Sequence, residues 1–277
     1  MYSVYGICNP LLDMVVYAGF DVLAGLGATP GTMNLIDEQT KSRLTEQVRV
    51  VKMVPGGSAA NTLRGLAWLG RGAIDRPLYG DYLAYVGIDQ WKAGELQGDF
   101  FTKKLMPGGG NIVLIIGDPG CPASIGRGNG MLSILDRPEN KGKYKILATY
   151  KASYNQMLGM QKMEEAIAAF GDKIDLVYCA NDSMALGALD ALKNAEMDEV
   201  LVAGIDGQKE AYAEILKGGQ YKSTVINNSW EITQKAVNLL VDYLTKKVQP
   251  KEKNVITGTI LVTADNVKKF YDQNAVF

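Results

Sequence analysis

The amino-acid sequence predicts an α/β fold with parallel, doubly wound sheets, and the evidence lies mainly in its second half. Five short, mostly apolar segments follow one another there at intervals of roughly thirty residues, a pattern typical of strands buried on both faces. They are Ile112–Ile116, Lys145–Thr149, Asp175–Cys179, Val200–Gly204 and Ser223–Ile226. Amphipathic segments separate them, so the chain alternates strand and helix. This alternation predicts βαβ units with right-handed crossovers.

The helices between these strands have recognisable starts and apolar faces. The segments Asn181-Asp182-Ser183 and Asn228-Ser229 each offer N-cap side chains before an apolar-periodic run. Another helix carries Met157, Met160 and Met163 near helical spacing. A methionine stripe of this kind indicates core packing rather than a ligand surface.

Composition excludes several classes of function. Lys and Arg total 29 against 30 Asp and Glu, so there is no basic surplus to bind a nucleic acid. The apolar runs are too short to span a bilayer, and we expect no membrane span. The first residues lack the basic segment of a secretory signal, so the chain as written is expected to stay in the cytoplasm.

Catalytic and metal chemistry also receive little support from composition. The chain has no histidine, which removes the commonest general base and the commonest metal ligand. The three cysteines, Cys8, Cys121 and Cys179, are widely separated and imply no disulfide framework. We therefore expect no catalytic residue, no metal and no cofactor.

Polar side chains follow the predicted strands, where ligands of open α/β sheets bind. In chain order they are Arg127, Tyr154, Asn181, Asp206 and Asn227. Vicinal hydroxyls donate to a carboxylate and accept from guanidinium or amide groups, while an aromatic ring covers an apolar sugar face. This set indicates a site for a neutral monosaccharide or polyol. The alternative is that Asn181 and Asp206 merely cap the helices that follow.

Several motifs carry a family resemblance from about residue 74 to the C-terminus. Asn-Asp-Ser-Met-Ala-Leu-Gly-Ala at 181–188, Ala-Gly-Ile-Asp-Gly at 203–207 and Gly-Arg-Gly-Asn-Gly at 126–130 resemble the ribose/galactose-type (type I) periplasmic sugar-binding proteins. They are also similar to the related effector domains of sugar repressors, although no helix-turn-helix precedes the domain. The segment Ile-Asp-Arg-Pro at 74–77 looks like the inter-lobe strand of that family.

The resemblance implies two Rossmann-like lobes that close on a sugar held in the inter-lobe cleft. It also implies a periplasmic or extracellular solute-binding protein that serves an ABC transporter permease. The implied sugar contacts are Asp75, Arg76, Arg127, Tyr154, Asn181, Asp206 and Asn227. Tyr154 stands where ribose binders usually carry Phe, and Asn227 where they often carry Gln, so the sugar itself stays open.

The first 72 residues depart from this pattern and make the N-terminal lobe atypical. The segments Gly-Ile-Cys-Asn-Pro-Leu-Leu-Asp at 6–13 and Gly-Gly-Ser-Ala-Ala-Asn-Thr at 56–62 resemble the start of a ribokinase-like adenosine kinase. By that resemblance, Asn9, Asp13, Gly57 and Asn61 would touch the ribose of a substrate. No Gly-Ala-Gly-Asp anion hole with its catalytic Asp follows, so phosphoryl transfer has little support.

The chain is thus interpreted as a chimera with four segments. We expect a kinase-like segment at 1–72, an inter-lobe strand with a lobe 1 helix at 73–107, a ligand-binding lobe 2 at 108–227, and a return to lobe 1 at 228–277. Two alternatives to a sugar binder remain: a fragment of an adenosine or sugar kinase, and a chimeric scaffold without a ligand.

Overall fold

The chain forms two compact units. The computed structural model describes Leu12–Val16, Val50–Pro55 and residues 84–274, with the backbone path alone for the first two segments. The first unit takes Met1–Val86 and Ser229–Val255, and the second takes Gly87–Asn228 and Ile256–Phe277.

Short two-stranded pairings and one helix make up the described part of the first unit. Strand β1 (Leu12–Val16) pairs antiparallel with β2 (Val50–Pro55). Strand β3 (Tyr85–Gly87) pairs with β9 (Asn254–Ile256), and both strands lie where the chain passes from one unit to the other. Helix α6 (Ser229–Val241) continues into a turn of π-helix that ends at Lys246.

The second unit is built on a six-stranded sheet with the order β10-β8-β7-β6-β4-β5. Its strands are β4 (Gly110–Ile116), β5 (Tyr144–Lys151), β6 (Leu176–Cys179), β7 (Leu201–Ala203), β8 (Tyr221–Val225) and β10 (Leu261–Thr263). Strands β4 to β8 run parallel, whereas β10 lies antiparallel to β8 at the edge. The five predicted strands are confirmed, and the parallel arrangement with them.

Five helices cover both faces of this sheet. They are α1 (Gln90–Phe100), α2 (Pro122–Leu135), α3 (Gln156–Phe170), α4 (Asp182–Asn194) and α5 (Lys209–Lys217). Side chains of β4 alternate between two buried cores, because successive residues of a strand point to opposite faces. Ile112 and Leu114 pack with α1 and α2, while Val113 and Ile115 pack with α3, α4 and α5. The unit is therefore a three-layer, doubly wound α/β structure.

Asparagine and aspartate side chains start three of these helices. Asp89, Asn155 and Asn181 accept hydrogen bonds from the backbone N–H groups of Lys92, Leu158 and Met184, respectively, at 2.9 to 3.0 Å. Each bond satisfies a backbone donor that has no partner within its own helix.

The methionine stripe of α3 divides between the core and the surface. Met163 is fully buried against the sheet, whereas Met157 is exposed at the start of the helix. The interpretation of the stripe as core packing therefore applies to Met163 and not to Met157.

Glycines allow α1 and α2 to approach each other closely. A Cβ atom added at Gly94 would overlap the carbonyl oxygen of Arg127, and one added at Gly130 would overlap that of Trp91. Both obstacles are backbone atoms, which cannot move without shifting a helix. The close spacing of the two helices therefore requires glycine, which has no Cβ atom, at these two positions.

The predicted segment boundaries require a correction. Residues 87–107 and 256–277 were assigned to the first lobe, but they belong to the second unit. The reason is packing: α1 lies against α2 and the sheet, and β10 forms a ladder with β8. The second unit begins at Gly87, not at residue 108.

A Gly130→Ala substitution tests the close approach of α1 and α2. We expect it to lower the free energy of unfolding by about 1–3 kcal/mol, since the new methyl group overpacks the helix contact. Gly128→Ala is the matched control in the same helix, because a Cβ there meets no atom within 4 Å. The control should be neutral or stabilising by up to about 1 kcal/mol in urea denaturation. Equal effects of the two substitutions would contradict the packing argument.

Candidate functional site

The five polar residues predicted from strand ends all lie beyond the carboxyl ends of parallel strands. Arg127 is on α2, which follows β4, and Tyr154 lies between β5 and α3. Asn181, Asp206 and Asn227 follow β6, β7 and β8, respectively. Since parallel strands end at a common edge, the sheet brings these residues to the same side of the unit.

Arg127 is the centre of this site and is almost fully buried, with 3% of its surface exposed. Its Nε donates to Oε1 of Gln90 at 2.7 Å, and its Nη1 donates to the carbonyl oxygen of Ala180 at 2.7 Å. Its Nη2 lies 2.9 Å from Oδ1 of Asp206. Every nitrogen of the guanidinium group thus has a partner.

The electrostatics of Arg127 keep it charged. Burial alone would lower the pKa of the guanidinium, but the carboxylate of Asp206, together with Tyr154 and Tyr178, outweighs that effect, and the pKa lies above its usual value. A charge removed from water in this way requires a partner of opposite sign. Arg127 and Asp206 form that pair, and the pair is neutral as a whole.

Asp206 is held in an unusual backbone conformation. Its φ of 132° lies in a region that non-glycine residues rarely adopt, at a cost on the order of 1–3 kcal/mol. Its N–H donates to Val225 O at 2.9 Å, and its carbonyl oxygen accepts from the N–H of Asn227 at 3.0 Å. These two bonds pair Asp206 with the chain that follows β8. The surrounding structure therefore fixes the direction of the carboxylate.

Asn227 joins the same pair. Its Nδ2 donates to Oδ1 of Asp206 at 3.0 Å, so one carboxylate oxygen serves both Asn227 and Arg127. The structure thus brings Arg127, Asp206 and Asn227 into direct contact, as expected from the strand ends.

Asn181 has the capping role that was one of its two interpretations. Its Oδ1 accepts from Met184 N at 3.0 Å and starts α4. Its backbone neighbour Ala180 accepts from Arg127, so Asn181 lies directly beside the buried pair. Asp206, in contrast, is not a helix cap, because α5 begins after Gln208.

Tyr154 contributes an aromatic ring near Arg127. Its backbone φ of 61° is left-handed, and its ring packs where Gly117 has no side chain. Among the described residues its buried hydroxyl has no hydrogen-bond partner. Burial raises the pKa of this phenol, so it remains neutral at physiological pH.

Two residues of the site were missed by the strand-end argument. Gln90 orients Arg127 from the start of α1, an element that follows none of the predicted strands. Asp182 is fully buried and accepts hydrogen bonds from the backbone N–H groups of Gly207 and Gln208 at 2.7 and 2.8 Å. From the sequence, Asp182 was predicted only to belong to the start of a helix.

The remaining predicted site residues lie outside the part of the chain that the structure describes. This holds for Asp75 and Arg76 and for the kinase-like positions Asn9, Gly57 and Asn61; Asp13 falls in β1, where only the backbone is described. Their roles stay predictions, as does the kinase-like origin of residues 1–72.

The described residues show neither a metal site nor a membrane-spanning helix. Those residues contain no cluster of three or more Cys, Asp or Glu side chains that could hold a metal ion. Within the same residues, no helix has the length and apolar character needed to cross a membrane.

Comparison with known proteins agrees with this architecture. Residues 73–247 match the periplasmic binding protein domain, and this range is more than half of the chain. The chain belongs to the periplasmic binding protein family. The predicted fold class, that of the type I members, is confirmed.

Individual relatives of this periplasmic binding protein are known. The D-apiose import binding protein of Actinobacillus succinogenes is 31% identical over 199 residues, which cover 71% of this chain and 62% of the relative. The structure of a solute binding protein from Mycobacterium smegmatis with bound glycerol is 28% identical in sequence and superposes with a TM-score of 0.66. The match covers 76% of this chain and 72% of the M. smegmatis chain. The myo-inositol binding protein of Caulobacter is 26% identical and superposes with a TM-score of 0.65. That match covers 90% of this chain and 88% of the Caulobacter chain.

This chain spans only part of the length of the curated relatives that it matches. This chain spans 62% of the D-apiose protein and 56% of the ribose import binding protein of Salmonella typhimurium. Their activities therefore apply to this periplasmic binding protein as a proposal.

The buried carboxyl of Asp182 predicts a specific pH dependence of stability. Burial, followed by repulsion from Asp206, raises its pKa from 3.8 to about 7. Between these values the folded state binds a proton that the unfolded state has lost, so stability falls as pH rises from about 4 to about 7 and then levels off. Asp182→Asn should remove this contribution, which amounts to at most about 1.4 kcal/mol per pH unit.

Urea denaturation of wild type and Asp182→Asn between pH 4.5 and 8 measures the difference in slope. Asp118→Asn is the control, because the hydrogen bond from Lys151 lowers the pKa of Asp118 and places its titration below this window. A wild-type slope equal to that of Asp182→Asn would show that Asp182 does not titrate there.

Proposed function

We propose that this protein binds a neutral monosaccharide or polyol without converting it, as the solute-binding component of an ABC sugar transporter. The observation that carries the proposal is the partly buried, charge-balanced set of Arg127, Asp206 and Asn227 at the carboxyl edge of the sheet. Its side chains are held in place before any ligand arrives, which reduces the entropy lost on binding.

The chemistry of the set suits hydroxyl groups. Each hydroxyl both donates and accepts, so it needs an acceptor and a donor close together. In the proposed complex, the Oδ2 of Asp206 accepts from one hydroxyl while an Nη of Arg127 donates to its neighbour. Asn227 and the Nδ2 of Asn181 extend the same alternation to further hydroxyls.

The charge balance of the site favours an uncharged ligand. Arg127 and Asp206 already neutralise each other at 2.9 Å. A phosphate or carboxylate on the ligand would face the Asp206 charge without a second cation in this set. Tyr154, whose phenol stays neutral, is suited to cover an apolar face of the ligand.

The groups of the site support binding without turnover. The pKa of Arg127 is raised and so is that of Tyr154, so both groups keep their protons at neutral pH and neither can act as a general base. The carboxylate of Asp206 is already engaged by Arg127 and Asn227.

The relatives support a polyhydroxylated ligand but not a particular one. Their names include D-apiose, ribose, xylitol and D-allose, and solved neighbours hold glycerol, D-allose or myo-inositol. By the same relationship we propose an ABC transporter permease as the partner and a periplasmic or extracellular location.

Titration calorimetry of this protein with ribose, galactose, xylose and myo-inositol tests the proposal. We expect heat with at least one of them and a dissociation constant near micromolar, which corresponds to about −8 kcal/mol. Asp206→Asn should weaken that binding by about 1–3 kcal/mol, since a charged acceptor is lost.

The matched control is Asp175→Asn, the same substitution at the opposite edge of the sheet. Asp175 accepts from the backbone N–H of Asn111 at 2.7 Å, before β6 begins. Its loss should leave affinity unchanged. No heat with any of the four compounds would contradict the proposed function, and ribose 5-phosphate binding more tightly than ribose would contradict the preference for an uncharged ligand.

A further inference from the structure

We propose that Asp182 is a positioning residue of the candidate site, which holds the turn Asp206–Gln208 in the shape that presents the Asp206 carboxylate to the ligand. This inference rests on the proposed function and assigns a role to a residue that does not itself face the ligand.

Asp182 is surrounded by hydrogen-bond donors of the protein. Its Oδ2 accepts from the backbone N–H of Gly207 at 2.7 Å and of Gln208 at 2.8 Å. The hydroxyl of Tyr221 donates to its Oδ1 at 2.8 Å, and the hydroxyl of Thr224 lies 2.8 Å from both oxygens. Asp182 is 0% exposed. Its carboxyl group is therefore saturated by protein partners and acts within the structure rather than as a ligand contact.

The backbone that these bonds hold has an unfavourable conformation. Asp206 and Gly207 have successive positive φ values of 132° and 76°, and only the second residue is a glycine. Such a turn is unfavourable unless neighbouring bonds impose it. Two consecutive N–H groups directed at one oxygen form an anion-binding concavity, and the carboxylate of Asp182 fills it.

The presence of an acid at position 182 also indicates a positioning role. Burying a carboxylate away from water is costly, and a helix start needs no buried acid when Asn181 already caps it. An asparagine at 182 could offer one oxygen to the turn and one amide group, so it could not accept from Tyr221 and from both turn amides. The carboxylate satisfies both sides at once.

The test uses the whole protein with the polyol that gives heat in calorimetry. We expect Asp182→Asn to weaken binding by about tenfold, because the turn keeps only an uncharged amide oxygen as its acceptor, and Asp182→Ala to weaken it by more, because no acceptor is left. Thr224→Val is a milder second variant, since Thr224 Oγ1 also accepts from Gly207 N at 3.1 Å. It should weaken binding in the same direction and guards against a variant that does not fold.

Asn140→Ala is the control for general loss of stability. Asn140 is buried, donates to the carbonyl oxygen of Ile134 at 2.8 Å, and lies in the loop before β5. It should lower the melting temperature without changing affinity. Equal affinity of wild type and Asp182→Asn, or an equal loss in Asn140→Ala, would overturn the positioning role.

Amide hydrogen exchange provides a readout that needs no ligand. The N–H groups of Gly207 and Gln208 should exchange faster in Asp182→Asn, while those of α2 keep their wild-type rates. If wild type binds no polyol, the proposed function fails, and the role of Asp182 is decided by this exchange alone. Unchanged exchange at both amides would overturn it.

Discussion

The burial of the Arg127 guanidinium is the constraint on which the rest of the site depends. A charge removed from water must recover its lost hydration from fixed partners, and here they come from three separate elements: Gln90 on α1, Ala180 after β6 and Asp206 after β7. Each element has to stand at hydrogen-bond distance at the same time. The requirement therefore links the helix layer on one face of the sheet to the loops at its edge.

Close packing makes that arrangement attainable. Gly94 and Gly130 let α1 and α2 approach until backbone atoms nearly touch, and this approach brings Gln90 within 2.7 Å of Arg127. Tyr178 links β6 to α2, because its hydroxyl donates a hydrogen bond to the carbonyl oxygen of Arg127 at 3.1 Å. Gln97 of α1 donates to Gly204 O at 2.6 Å just before the Asp206 turn. The site is thus supported by neighbours that are not among the predicted ligand contacts.

The strained backbone at Asp206 is held by hydrogen bonds to neighbouring elements. The turn that carries this residue bonds to Val225 through its backbone and to Asp182 through the next two amides. Preorganisation of this kind is expected where a ligand must be recognised by direction as well as by charge. The same buried acid also makes the stability of the unit sensitive to pH near neutrality, since burial and Asp206 both raise the pKa of Asp182.

Much of the fold and part of the site could be predicted from local patterns. Apolar runs at regular spacing indicated the parallel strands, and the rule that ligands bind beyond strand ends selected Arg127, Asp206 and Asn227, which the structure joins by direct contacts. The roles of Gln90 and Asp182 were not predicted, because nothing in their local sequence distinguishes them from ordinary residues at a helix start. The unit boundaries were misplaced for a similar reason, as β10 pairs with a strand about forty residues earlier.

The sequence by itself therefore determined the order of strands and helices and the residue types delivered to the sheet edge, because periodicity and capping are local properties of the chain. Tertiary structure alone decided which helices touch, where the units divide and which buried groups hold Arg127 and Asp206 in place. Those outcomes depend on distances between residues far apart in the chain, and no local pattern encodes such distances.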